Sequence, residues 1–277
     1  MPIATLSSIP PRFDKIGPTL TSLLRQSLPF DRIIIYIPET YKRFPNWDGT
    51  LPVVPQGVEI RRCAKDLGPA TKILPAARDF AGTDTQLILC DDDRAYGRNW
   101  AARLAAVAKT SPGEAIAGLG LHTHWIENIR SLKRRLPRAK RRWRITDAEF
   151  QLRLLARQLT ARATGQPMTE PGRRVFRRSG YVDIFEGCGG VLVRPEMFDE
   201  TACNIPDLAW SVDDVWLSGM LARHGIPIWV TANMREPELT EAEAFEPLVT
   251  SAVGGTTRND ANRATVQYLR NTYGIWP

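Results

Sequence analysis

Asp91, Asp92 and Asp93 directly follow Gln86-Leu87-Ile88-Leu89-Cys90, so three consecutive carboxylates close an apolar run. Such a run reads as a strand buried on both faces, and ligands bind outside the carboxyl ends of such strands. Three crowded acids repel one another and need a cation or a ligand rich in hydrogen-bond donors. Hard divalent ions take oxygen ligands, and a Mg²⁺-type ion is commonly held by one or two carboxylates plus substrate phosphates. If the strand geometry persists, Asp91 and Asp93 point to the same side. One is then placed for the metal and the other for a ribose hydroxyl or a metal-bound water. The competing reading is an acidic turn that starts the next helix.

A second acidic pair lies in Ser211-Val212-Asp213-Asp214-Val215-Trp216-Leu217. One reading is an ordinary helix start, with Ser211 as cap and acids in the first turn. The other is a general base at the edge of a cleft, accepting a proton from a substrate hydroxyl. Glu186-Gly187-Cys188-Gly189-Gly190 suits either a close approach of backbone to ligand or a tight turn before a strand. Lys72, after Gly68-Pro69, is either a solvated lysine or a point charge for phosphate. His122 and His124 stand two apart as imidazoles could on one strand face, but no third ligand is near them in sequence. The phosphate loop ending in Gly-Lys-Ser/Thr and the Gly-rich dinucleotide fingerprint are both absent from the sequence.

The elements that must position these groups alternate. Strands are expected at Ile3 to Leu6, Arg32 to Ile37, Val58 to Arg61, Gln86 to Cys90, Ala115 to Leu121, Gly189 to Val193 and Ile226 to Val230. Helices are expected after Arg12 (with Leu20, Leu23, Leu24 and Leu28 near one face), around Lys72 and Leu74, from Trp100 to Ala108, from Ser211 to about His224, and from Asn259 to Tyr273. This order predicts an α/β fold with a mostly parallel sheet and helices on both faces. The alternation breaks at Trp125, and residues 128–178 read as an insertion. Within it Thr146 and Glu149 match a capping box, Leu152, Leu155, Leu159 and Ala163 form an apolar stripe beside Arg153 and Arg157, and Gly165 is placed to end the helix.

The chain has 277 residues, 43% of them hydrophobic and 24% charged, a composition of soluble globular proteins. No apolar run approaches the ~20 residues that span a bilayer. Met1 to Ile9 shows no basic region followed by an apolar stretch and strand-like sequence begins at once, so neither a secretory signal nor a membrane stem is expected. The four cysteines, Cys63, Cys90, Cys188 and Cys203, show no metal spacing, so reduced thiols in a cytoplasmic compartment are expected. The net charge of +7 is uneven: Glu127 to Arg178 hold sixteen Lys/Arg against four Asp/Glu, a balance of +12 that leaves −5 for the remainder.

Taken in order, the opening strand with Ser8 and Arg12, Asp66 to Lys72, Asp91-Asp92-Asp93, Glu186 to Gly190 and Asp213-Asp214 resemble a glycosyltransferase of the GT-A fold, close in style to bacterial family 2-like enzymes. Asp213-Asp214-Val215-Trp216 also looks like the acid-acid-Val-aromatic stretch of inverting β-1,3-glycosyltransferases. The resemblance covers roughly 1–125 and 181–230, within one domain spanning 1–277. It implies a hexosyltransferase-like enzyme using Mn²⁺ or Mg²⁺ and a nucleotide-sugar donor, with a UDP-sugar favoured. The acceptor would be a glycan or a lipid-linked hydroxyl, as in bacterial surface polysaccharide or glycolipid synthesis. By position Asp93 is the metal ligand, and Asp91 meets the ribose or a metal-bound water, with Asp92 beside them. Ser8 and Arg12 meet the nucleotide, Asp66 the base and Lys72 the diphosphate. Asp214 is the catalytic base with Asp213 as neighbour or substitute, and Glu186, Gly189 and Gly190 border sugar and acceptor. The first acid of the usual Glu-Asp pair is here Asp213, and the insertion has no counterpart. A retaining mechanism is also compatible with the acidic triplet.

The basic insertion suggests a polyanion: lipid headgroups, an anionic glycan or nucleic acid. Its amphipathic helix favours peripheral attachment to an anionic membrane, on the inner face. The competing reading is a solvated or oligomer-forming helical arm. Few aromatics stand there (Trp143, Phe150, Phe176), which disfavours nucleic acid. Two other functions compete with the transferase. A sugar nucleotidyltransferase would carry a Gly-rich basic loop after the first strand, where this chain has Ser-Ile-Pro-Pro-Arg. A non-catalytic polyanion-binding protein would not need the aspartates.

Overall fold

The computed structural model describes residues 1–127, 135–246 and 257–277. Eight strands form one mixed sheet: β1 (Ile3–Ser7), β2 (Arg32–Pro38), β3 (Val58–Cys63), β4 (Leu87–Leu89), β5 (Ala115–Ala117), β6 (Gly180–Val182), β7 (Val191–Val193) and β8 (Ile228–Val230). Their order is β6-β8-β5-β7-β4-β1-β2-β3. β3, β2, β1 and β4 are mutually parallel, as are β5 and β8, whereas β7 and β6 run against their neighbours. Among the described residues, the α-helices longer than four residues are α1 (Gly17–Leu24), α2 (Leu74–Asp79), α3 (Trp100–Thr110), α4 (Ala148–Thr164), α5 (Asp213–Arg223) and α6 (Arg258–Tyr273). The expected α/β architecture, a mostly parallel sheet flanked by helices, is the one observed.

The central strands are apolar throughout because both of their faces are covered. In β2, Ile34 and Tyr36 pack into one core while Ile33, Ile35 and Ile37 pack into the other. In β4, Leu87 and Leu89 take the first side and Ile88 the second. The first core is completed by α2, α5 and α6, through Leu74, Trp216, Leu217 and Leu269, and the second by α1 and α3, through Leu20, Leu23 and Leu104. Period-two burial on both faces forces near-continuous apolar sequence.

Several expectations are corrected. Leu24 is the last residue of α1 and is exposed, and Leu28 lies beyond the helix, because the chain turns away after two turns. The run Ala115 to Leu121 is broken. β5 stops at Ala117, and Gly120–Leu121 pairs instead with Ile184–Phe185. The break lies where the backbones of Gly118 and Gly189 touch: a Cβ on Gly118 would stand 2.4 Å from the Gly189 carbonyl oxygen.

Helix α4 is capped by Asp147 rather than Thr146. The Asp147 carboxylate is buried, accepts from the Phe150 and Arg174 amides, and pairs with the Arg174 guanidinium at 2.8 Å, a stronger anchor than a hydroxyl offers. Thr146 donates to the Trp143 carbonyl, and Glu149 pairs with Arg174 and Arg235. Gly165 ends the helix in the left-handed conformation, as expected. Ser211 does not cap α5, which begins after Val212 without a side-chain cap.

The described part of 128–178 is tied to the rest of the chain. Lys140–Arg141 pairs with Phe176–Arg178, and the Arg138 fork grips Asp183 at 2.8 Å through both terminal nitrogens. The basic stretch 128–134 lies outside the described residues.

Candidate active site

A cavity of about 450 Å³ opens at the carboxyl ends of β1, β2 and β4. It is lined by Ser8, Arg12, Asp66, Lys72, Asp91, Asp92, Asp93, Glu186, Asp213 and Asp214, which sequence reasoning had singled out. Residues far apart in the chain meet there because parallel strands deliver their C-terminal loops to one edge of the sheet.

The three aspartates do not continue the strand. β4 ends at Leu89, the chain turns at Asp92–Asp93, and each carboxylate finds different partners. Asp91 accepts from Lys72 Nζ at 2.7 Å. Asp92 accepts from Ser8 Oγ at 2.5 Å and from Arg12 at 2.8 Å. Asp93 accepts from Arg12 at 3.2 Å through Oδ2, while its buried Oδ1 accepts no hydrogen bond and lies 3.4 Å from Arg94 Nε. Burial, then the neighbouring charges of Asp91 and Asp92, push the Asp93 carboxyl up to about 6. Burial also raises Asp92, against the pull of Arg12. Asp91 is only partly buried, and Lys72 holds it below the ordinary carboxylate value against the desolvation that would raise it.

Lys72 is neither solvated nor a free phosphate cation. It is buried, with Nζ 2.7 Å from Asp91, 3.0 Å from Asp213 and 3.8 Å from Asp214. Burial disfavours its charge, yet Asp213, Asp91 and Asp214 together hold it well above the ordinary lysine value. One ammonium thus ties the acidic end of β4 to the first turn of α5. Asp213 is the more buried of the α5 pair, and Asp214 is the more open. Asp214 accepts from the Gly187 amide at 3.1 Å. Burial and the adjacent Asp213 push the Asp214 carboxyl up to about 7, with Lys72 opposing.

The Gly-rich segment divides. Gly187 faces the site: a Cβ there would stand 2.5 Å from Lys72 Nζ and 2.9 Å from Asp214 Oδ1. Gly189 and Gly190, expected beside the sugar, do not line the cavity. Their missing side chains make room for Leu119 and for the Trp100 indole, which would lie 2.7 Å and 2.0 Å from an added Cβ. Gly190 also has φ of +79°, a conformation that side chains disfavour. Asp66 accepts from the Lys42 and Gly68 amides, which fixes the loop before Lys72.

His122 and His124 stack at 5.4 Å, and His122 contacts Arg138 and the Ala139 carbonyl, away from the cavity. Sequence reasoning missed Tyr41, Arg43, Arg94, Trp210 and Arg258, which also line the cavity. They come from loops, from the two-residue strand Arg94–Ala95 and from the start of α6, where no local pattern marks them.

Nine carboxylates line this cavity against five Lys/Arg. An anionic ligand entering it needs added positive charge. No cluster of three or more His, Cys, Asp or Glu forms a closed metal site among the described residues. The donors present fit the open kind of site instead, in which one or two carboxylates hold a hard ion and phosphate oxygens complete its shell. The unbonded Asp93 Oδ1 is such a donor.

No family model and no curated protein matches the chain. Among solved structures it is similar to S. aureus TarS 1–349 at 11% identity and a TM-score of 0.43, covering 88% of this chain and 61% of that one, so that it spans about three fifths of TarS 1–349. It is similar to the 2-C-methyl-D-erythritol 4-phosphate cytidylyltransferase of Francisella tularensis at 13% identity and a TM-score of 0.40, covering 96% and 97%. GalNAc-T7, solved with UDP, GalNAc and Mn²⁺, matches at 14% identity and a TM-score of 0.35, covering 72% and 36%.

Proposed function

We propose that this chain is an inverting glycosyltransferase that moves a sugar from a nucleoside-diphosphate donor, with a UDP-sugar favoured, to a hydroxyl of a glycan or lipid-linked acceptor. The observation that carries this reading is one cavity in which two acidic groups stand on either side of Lys72. The Asp91–Asp93 turn is short of positive charge, and Asp214, across Lys72, is a carboxylate raised toward neutrality.

Asp93 and Asp91 would hold Mn²⁺ or Mg²⁺. When bound, such an ion neutralises negative charge on a departing diphosphate. Arg258 lines the same cavity and is the cation we assign to the phosphates, since Arg12, Lys72 and Arg94 are paired with aspartates. Asp214 acts as general base. The acceptor oxygen attacks the anomeric carbon from the face opposite the diphosphate. As the new C–O bond forms, the bond to the diphosphate oxygen breaks and the hydroxyl proton passes to Asp214. The Gly187 amide keeps the Asp214 carboxylate oriented, and Asp213, paired with Lys72, stays out of the proton transfer.

The test is a thermal-unfolding screen with UDP, GDP, CMP and dTDP, each with and without Mn²⁺. A ligand that binds only the folded state raises Tm, by about 2.7 kcal/mol of added stability at a hundred times its Kd. The expected result is a rise with one nucleoside diphosphate that requires Mn²⁺. No rise with any of the four at millimolar concentration would count against the proposal.

A further inference from the structure

Helix α4 is mounted the wrong way round for a helix whose only task is to pack against the domain. Arg153 and Arg157, one turn apart, both pair with Glu238, at 3.0 and 2.7 Å, and Phe150 is buried. The opposite face therefore points to solvent, and it carries Leu152, Leu155 and Leu159 at 69%, 52% and 56% exposure. Trp143 and Ile145, in the turn before the helix, are 78% and 86% exposed. An amphipathic surface helix normally buries its leucines. Here two arginines on one carboxylate hold the helix in the inverted orientation. Contiguous apolar exposure of this kind marks an interaction site.

The charge of the segment specifies what covers it. Its three described acids are each matched by arginine: Asp147 by Arg174, Glu149 by Arg174 and Arg235, Glu170 by Arg144. Lys140, Arg162, Arg177 and Arg178 are exposed and make no ion pair among the described residues. The segment is therefore both apolar and positively charged toward solvent. A second copy docking through the same face would bring like charge to like. An anionic bilayer offers what both features need: headgroup charge for the cations and an acyl boundary for the leucines.

We propose that α4, with the Trp143–Ile145 turn before it, is a docking face for an anionic lipid surface. The helix lies in the plane of the interface with Leu152, Leu155 and Leu159 inserted. This inference does not depend on the reading of the cavity.

The test is sedimentation of the full chain with vesicles of phosphatidylcholine alone or mixed with phosphatidylglycerol, at low and high salt. Binding is expected only to the mixed vesicles, and it should weaken with salt as the headgroup attraction is screened. In the double variant Leu155→Glu, Leu159→Glu the bound fraction should fall about tenfold. Its Tm should match the parent's, because both side chains are exposed. Equal sedimentation of parent and double variant would overturn the proposal, as would no binding to mixed vesicles at low salt. Light scattering that shows a dimer which the double variant dissociates would assign the face to a second copy instead.

Discussion

Asp214→Asn is expected to cut turnover about a thousandfold with the fold retained, within the range that removal of a general base costs. The argument turns on the contrast within the α5 pair. Asp213 is nearly closed off by Lys72, whereas Asp214 faces the cavity and is pushed up to about 7 by burial and its neighbour. A base near neutrality is ionised at working pH yet still takes a proton readily. In the parent, kcat/KM should therefore rise about tenfold per pH unit below 7 and level off above it. Stability moves the other way. Folded Asp214 keeps a proton that the unfolded chain has already lost, so its stabilising contribution is present at low pH and disappears as pH climbs from the ordinary carboxylate range through about 7. Asn removes that penalty, and the variant's Tm at pH 8 should equal or exceed the parent's. A variant that is inactive because it unfolds would show the reverse.

Lys72→Met should do more to the fold than any other single change in the cavity. The ammonium is buried against three carboxylates, and its removal leaves Asp91, Asp213 and Asp214 facing one another without compensation. Breaking a buried ion pair by deleting one partner costs about 3–5 kcal/mol. For a chain of this size that corresponds to a fall in Tm of roughly 10 °C. The loss should be larger at pH 8 than at pH 5, because at pH 5 the orphaned carboxyls can take up protons and shed their repulsion. Thermal unfolding at both pH values checks the size and the direction. A shift of only a degree or two would mean that Lys72 is dispensable as a tie between β4 and α5.

What the sequence revealed and what it hid follow from where the determining contacts lie. β1, β2 and β4 were legible because both faces are buried, so nearly every residue is apolar. The acidic turn after β4 was legible because its three carboxylates directly follow an apolar run that ends at the edge of the sheet. The antiparallel course of β7 was not, since alternation of burial carries no strand direction. Gly189 and Gly190 read equally well as ligand contacts, and only the positions of Leu119 and Trp100 show that they are packing glycines. Thr146 and Glu149 matched a capping box, but a buried partner from beyond the helix, Arg174, made Asp147 the better cap. The burial of Lys72 is set by acids 19 and about 140 residues away, at a range where local pattern is silent. The leucine stripe of α4 was seen in the sequence, but its outward orientation is set by Glu238.

The most direct test of the account is titration calorimetry of UDP with and without Mn²⁺, on the parent chain and on Asp93→Asn. The central claim is that Asp93, with its unbonded buried oxygen, supplies the ligand through which a divalent ion and a diphosphate bind together. The predicted result is that Mn²⁺ tightens UDP binding by about tenfold or more in the parent and has no such effect in the variant. Tightening by Mn²⁺ to the same extent in both proteins, or UDP binding in the parent that ignores Mn²⁺ altogether, would contradict it.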